Sequence, residues 1–296
     1  MKRLLKIVGW MLGGVVGIVV LLLATAYTTS SIAFNKHYDI PGRDIPVPTD
    51  SASIAEGKRM VSFRACTDCH GPNLAGRTFM DPGPIVGRAT APNITGGQGS
   101  RTGSFTTRDW DRAIRHGVSP EGRCYIIMPA KDYFRTSDTD LGKMIAYLKN
   151  VPKVDSPDLN AEVTIGPLMR TLYMFGQVPD LVPAEVVDHS YIPTEPRRGI
   201  TLEHGQYMAQ TCTGCHQSTF KGGPLPGMPP DFPPAADITP AGRIKSYSDA
   251  TFLQMLRTGK TPEGRKLDPK YMPWPAFANM TDDEIRSLYL FLAKQS

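Results

Sequence analysis

The run Cys66-Thr67-Asp68-Cys69-His70 returns as Cys212-Thr213-Gly214-Cys215-His216. This repeated C-x-x-C-H constrains the chain more than any other feature. Two cysteines at this spacing, followed directly by histidine, suit covalent haem attachment. The thiols can form thioethers with two vinyl groups while the adjacent imidazole reaches the iron as proximal ligand. C-x-x-C alone also serves zinc sites and thiol redox chemistry, but histidine follows the second cysteine in both copies. The expectation is therefore two covalently attached haem c groups. Cys66, Cys69, Cys212 and Cys215 would hold them, with His70 and His216 on the irons.

The similarity runs well beyond the two motifs. Arg115-His116-Gly117-Val118-Ser119-Pro120-Glu121-Gly122-Arg123 matches Arg257-Thr258-Gly259-Lys260-Thr261-Pro262-Glu263-Gly264-Arg265. Asn93-Ile94-Thr95 faces Asp237-Ile238-Thr239, and Met128-Pro129 faces Met272-Pro273. The offset between copies stays between 142 and 146 residues across these landmarks, a drift that small loop changes absorb. A fixed offset of this kind marks a duplicated unit.

A low-spin electron carrier needs a sixth iron ligand, and a thioether there favours the ferrous state. Met128 and Met272 occupy equivalent places and are the expected sixth ligands. A methionine is usually core filler, and Met80, Met169 and Met280, which have no repeat counterpart, are read as packing residues. His116 aligns with Thr258, and His37, His189 and His204 have no motif around them, so none is expected on an iron.

At the start, Lys2, Arg3 and Lys6 precede an uncharged run from Ile7 to Tyr27. As a helix those 21 residues span about 31 Å, enough to cross the hydrocarbon core of a bilayer. The basic flank places the N-terminus in the cytoplasm and the residues after the apolar run on the far side of the membrane. A cleaved signal peptide is the rival, with Ala24-Thr25-Ala26 resembling a cleavage site, although the apolar stretch is longer than a usual signal core. Either reading exports the rest of the chain; the expected location is the bacterial inner membrane, single-pass, with the haem units in the periplasm. The net charge of +5 includes the three cations of the anchor, and the nearly neutral remainder offers no case for nucleic-acid binding.

Helix signals frame each copy. Ser53-x-x-Glu56 is a capping-box pattern whose helix would run into Cys66, and Thr201 opens the corresponding segment before Cys212. Thr106-x-x-Asp109 and Ser246-x-x-Asp249 start the middle helices, which Gly117 and Gly259 end. The closing helices follow Thr136 and Thr281. They present Leu141, Met144, Ile145 and Leu148 in one copy, and Ile285, Leu288, Tyr289 and Leu292 in the other. Each is expected to pack on the helix before its haem motif. No stretch alternates enough to predict a sheet, so the fold class is all-α with long loops. The organisation expected is an anchor over 1–30, a tether over 31–50, a haem domain over 51–152, a connection over 153–198 and a second haem domain over 199–296. The Pro-containing connection carries Ile165, Leu168, Leu172, Tyr173 and Leu181, and is expected to pack across both domains.

With both C-x-x-C-H motifs, the G-x-x-P-x-G-R run, the Met-Pro pair and Ala146-Tyr147-Leu148 of the closing helix, the chain resembles the bacterial cytochrome c superfamily. It is similar to the cytochrome subunits of periplasmic membrane dehydrogenases, which carry three haems where this chain has two motifs. The resemblance implies electron transfer between a dehydrogenase or quinol-oxidising complex and a terminal acceptor such as an oxidase. It also implies an arginine on a haem propionate, and Arg123 and Arg265 are the matching positions. Cys124 departs from the repeat, since Lys266 stands opposite it. Some dihaem cytochromes that oxidise thiosulfate use a cysteine as distal ligand. A haem enzyme of that kind, or a fixed subunit of a respiratory complex, therefore stands beside the plain carrier.

Overall fold

The computed structural model describes residues 1–229 and 231–295. Helix α1 (Lys2–Asn35) begins with the basic flank and continues past the uncharged run. It is long and apolar enough to cross a membrane, and at 34 residues it extends about 51 Å. Its apolar stretch is exposed, whereas Ala26, Ser30 and Ala33 near its end are buried. The last turns rest on a later helix, where Arg170 donates to Ser30 Oγ at 2.7 Å and to Ser31 Oγ at 3.1 Å.

In the first copy, α2 (Ser51–Phe63) leads to the short α3 (Cys66–His70) that carries the first motif. Its cap is Asp50, whose carboxylate accepts from Ser53 N, so the helix starts before the expected Ser53. Helix α4 (Thr107–Asp111) has the expected Thr106–Asp109 capping box and widens into a π turn over Arg112–His116. Gly117 ends that turn at φ 64°, the left-handed backbone that glycine adopts without strain. Helix α5 (Asp138–Asn150) is capped by Ser137, one residue beyond the expected Thr136, and buries Leu141, Met144, Ile145 and Leu148 as predicted. In the connection, α6 (Pro167–Met174) is the helix that supports α1.

The second copy repeats the plan. Helix α7 (Leu202–Ala209) is capped by Thr201 and followed by α8 (Thr213–His216) at the second motif. Helix α9 (Asp249–Thr258) is capped by Ser248, not Ser246, and ends at Gly259 with φ 70°. After the short α10 (Trp274–Phe277), α11 (Asp282–Leu292) opens with the expected Thr281–Glu284 capping box. Its Ile285, Leu288 and Leu292 are buried.

The closing helices pack on the helices before the haem motifs, α5 on α2 and α11 on α7. Both crossings are built on glycine. A Cβ on Gly57 would collide with the backbone carbonyl of Lys143, and one on Gly205 with that of Ser287. A backbone carbonyl cannot rotate away, so these helices approach closely only because neither glycine has a side chain. A single apolar core then runs through both copies, from Met60, Phe63 and Ile145 to Met208, Ile285 and Leu288.

The all-α expectation needs one correction. β1 (Arg77–Met80), β2 (Gly87–Ala91) and β3 (Val163–Ile165) form a small antiparallel sheet in the order β1-β2-β3. Arg77 pairs with Ala91 and Gly87 with Ile165, and the register shifts between Thr78 and Met80. The strands are too short to show alternation, and β3 comes from the connection, far away in sequence. In the second copy the same region carries Pro224, Pro226 and Pro229 and forms an isolated bridge between Gly223 and Ala235. Prolines lack the donors that a ladder requires. The connection itself packs on both copies. Ile165, Val178 and Leu181 form a buried cluster, and Gly227 of the second copy lies against Val178 and Met169.

Candidate functional site

The two haem motifs open into one continuous cavity of about 540 Å³. Cys66, Cys69 and His70 line it from the first copy, and Cys212, Cys215 and His216 from the second. Met128 and Met272 line it as well. The structure thus brings together all eight of the sequence-derived cysteine, histidine and methionine positions. Phe63, Ile94, Phe105, Trp110 and Leu148 supply much of its apolar wall.

Each imidazole is held the same way. His70 Nδ1 lies 2.9 Å from the carbonyl of Pro92, and His216 Nδ1 lies 2.7 Å from that of Ala236. A carbonyl only accepts, so Nδ1 carries the proton in both rings and Nε2 keeps its lone pair. Burial pulls both imidazoles below their ordinary pKa, which keeps them neutral. A neutral ring with its second nitrogen fixed by a backbone oxygen is the arrangement found at oriented metal-ligating histidines. Burial also pushes the Cys66 and Cys212 thiols up to about 12.

Arg64 is the feature that the sequence reading missed. It is only 3% exposed and lines the cavity. Its Nη2 reaches Tyr207 Oη at 3.4 Å, while Nε and Nη1 have no partner among the described residues. A buried cation with free donors calls for an acidic group beside it, and the carboxylates of a haem have that chemistry. Arg123 and Arg265, expected in this role, do not line the cavity. Arg123 is exposed and donates to the carbonyl of Asn35, and Arg265 is exposed. The repeat alignment hides Arg64, because Arg64 and Ala65 are extra in the first copy. The offset is 148 residues at Gly57/Gly205 and Met60/Met208 but 146 at the cysteines, and Ala65 accommodates the insertion at φ 59°. Arg101 lines the cavity too, and donates to the carbonyl of Ala161.

Cys124 borders the same cavity. Its side chain belongs to a buried cluster with Tyr38, Val118 and Val182, and burial pushes its thiol up to about 11. The thiol is therefore neutral near pH 7. His116 lies apart from the cavity, its Nδ1 2.9 Å from His189 Nδ1.

An apolar cavity lined by paired thiols, oriented neutral imidazoles, two thioethers and a guanidinium whose Nε and Nη1 are unpaired among the described residues fits haem c. Comparisons with known proteins agree. The cytochrome c family model matches residues 54–152 and 202–296. The fructose dehydrogenase cytochrome subunit of Gluconobacter japonicus is 26% identical over 272 residues, covering 84% of this chain and 54% of that protein. A diheme cytochrome c-type protein of Cereibacter sphaeroides is 26% identical over 227 residues, 68% of this chain and 74% of its own length. The cytochrome c subunit of a quinone-dependent alcohol dehydrogenase from Gluconobacter oxydans is 28% identical over 179 residues, 56% of this chain and 35% of the relative. The chain thus spans about half the length of the first of these relatives and about a third of the last. With both copies matched and the site built for covalent haem, the chain belongs to the cytochrome c family: it is an electron-transfer haem protein similar to bacterial dehydrogenase cytochrome subunits.

Proposed function

We propose that the chain is a membrane-anchored dihaem cytochrome that relays electrons from a dehydrogenase or quinol-oxidising complex to a terminal acceptor. The observation that carries this reading is the shared cavity, in which both attachment motifs and both methionines meet. In this reading residues 1–30 are the anchor, 31–50 the tether, 51–152 and 199–296 the haem domains, and 153–198 the packed connection. The anchor crosses the bacterial inner membrane and leaves the haem domains in the periplasm. The dehydrogenase side is supported by relatives that are themselves cytochrome subunits of fructose and alcohol dehydrogenases.

Cys66 and Cys69 would hold one haem and Cys212 and Cys215 the other, with His70 and Met128 available to the first iron and His216 and Met272 to the second. The bound haem supplies a one-electron change at iron. The protein's own part is to tune and insulate that change. Backbone carbonyls of Pro92 and Ala236 fix the imidazoles in the tautomer that presents Nε2. The methionine thioethers favour the reduced state. Phe63, Phe105 and Trp110 would give the haems an apolar wall, and Arg64 and Arg101 would offer donors to haem carboxylates. With a histidine and a methionine available to each iron, the protein would leave no open position for substrate, and the chain would act as a wire.

The test is purification of the full chain in mild detergent, with the haem count and the ferric spectrum measured together. Two haems per chain and a methionine–iron charge-transfer band that shrinks in Met128→Ala are expected. One haem, or a Met128→Ala spectrum identical to wild type, overturns the assignment.

A further inference from the structure

The two motifs differ at one internal position. Cys-Thr-Asp-Cys-His in the first copy has Asp68, and Cys-Thr-Gly-Cys-His in the second has Gly214. Asp68 is exposed. At Gly214 the other copy intrudes, because a Cβ there would lie 2.9 Å from Asp132 Oδ2. Thr213 Oγ1 donates to Asp132 Oδ1 at 3.3 Å. Asp132 also lines the cavity. It follows Met128 by four residues, and its counterpart in the second copy is Ala276. The first copy thus projects a carboxylate onto the second copy's attachment loop, and the equivalent Ala276 carries none to return.

We propose that Asp132 is a positioning residue shared between the copies, seating the Thr213–Gly214 turn and placing a negative charge that lowers the midpoint potential of the second copy's haem. The inference rests on the two-haem reading of the site. A carboxylate stabilises the oxidised, more positive state of a neighbouring iron centre and disfavours the added electron, most strongly where solvent is excluded. The charged groups facing Asp132 are Lys131, Asp180 and Arg64. Lys131 is itself bridged to Asp180 at 3.0 Å, so those two largely cancel. Arg64 offsets part of the charge, but it stays in place when Asp132 is changed. Because Asp132 is the acid of one copy acting on the other, its removal should separate the two haems' responses.

The experiment is a spectroelectrochemical titration of the full haem-loaded chain in mild detergent. Wild type, Asp132→Asn, Asp132→Glu and Met272→Ala are compared. Met272→Ala identifies the wave of the second haem by moving it. Asp132→Asn, which keeps the shape and loses the charge, should raise that same wave and leave the other in place, and Asp132→Glu should restore it. Burial pushes the Asp132 carboxyl up to about 6. In wild type the second wave should therefore fall between pH 5 and 7.5, and Asp132→Asn should flatten that slope. Unmoved midpoints in Asp132→Asn with two haems bound, or an equal shift of both waves, would overturn the role of Asp132 alone. Fewer than two haems in the wild-type chain would overturn the two-haem reading and this inference with it.

Discussion

Arg59 of α2 grips Glu284 of α11 across the two copies, with Nη1 2.5 Å from Glu284 Oε2 and Nη2 2.8 Å from Oε1. The same guanidinium holds Glu56 at 2.6 Å. The Glu284 side chain is 5% exposed and also accepts from Thr281 N at 2.7 Å, so one carboxylate caps its own helix and ties it to the other copy. Removing the arginine leaves a buried carboxylate without its cation. Arg59→Ala should lower the unfolding free energy by about 3 kcal/mol, and Arg59→Lys, which loses the bidentate fork, by roughly half that. Urea denaturation followed by circular dichroism checks this; an unchanged midpoint in Arg59→Ala would refute it. Glu56 adds an acid limb. The hydrogen bond from Arg59 holds its carboxyl below the ordinary glutamate value. The stability it contributes is complete above about pH 4.5 and is lost as the pH falls through the lowered value.

Gly57 and Gly205 make equivalent crossings, and substitution should be costly at both. Gly57→Ala forces α2 off the Lys143 carbonyl, and Gly205→Ala forces α7 off that of Ser287. Alanine ordinarily favours a helix over glycine by about 1 kcal/mol, so a loss here has the opposite sign to the propensity. We expect each variant to lose about 2 kcal/mol or more from overpacking, with lower melting temperatures. A neutral or stabilising alanine at either position would show that the helices do not cross there.

How far these features could be read from the chain depends on whether they are local. The C-x-x-C-H motifs, the Met-Pro pairs and the capping boxes at Thr106 and Thr281 each lie within a few residues; both boxes form as expected, and the motif residues and methionines line one cavity. The glycine crossings were also legible in principle: Gly57-x-x-Met60 and Gly205-x-x-Met208 repeat, but the insertion of Arg64 and Ala65 breaks their register with the cysteines. The sheet was hidden because Val163–Ile165 joins β2 from the connection, a pairing without a local signal. Asp132 and Arg64 matter through residues of the other copy, so their partners appear only when the chain is folded.

His189 predicts a pH dependence of stability. Its Nε2 lies 2.9 Å from the carbonyl of Ala184 and so carries a proton; Nδ1 must then accept from His116 Nδ1–H. Protonating His189 would set two N–H donors against each other. Burial, with His116 nearby, holds its pKa below the ordinary 6.5. The unfolded chain therefore binds the proton more readily, and stability falls as the pH drops below about 6.5, with no contribution above it. His189→Gln should flatten this part of the profile between pH 5 and 7.5. Parallel profiles for the variant and wild type in denaturant titrations would refute the pairing.

Cys124 decides whether the chain does more than carry electrons. It borders the cavity near Met128, in the one copy that has a cysteine there. A thiolate at that place could take an iron position and bring substrate chemistry with it. The environment argues otherwise: the side chain packs with Tyr38, Val118 and Val182, and burial keeps its thiol protonated up to about pH 11. A buried cysteine of this kind behaves as a small apolar residue. Cys124→Ala should cost about 1 kcal/mol of stability for the lost sulfur, and should leave the ferric spectrum and both midpoint potentials unchanged. Met128→Ala, by contrast, should abolish one methionine–iron band. If Cys124→Ala alters the haem spectrum instead, the thiolate reaches the iron, and the first haem becomes a reaction centre.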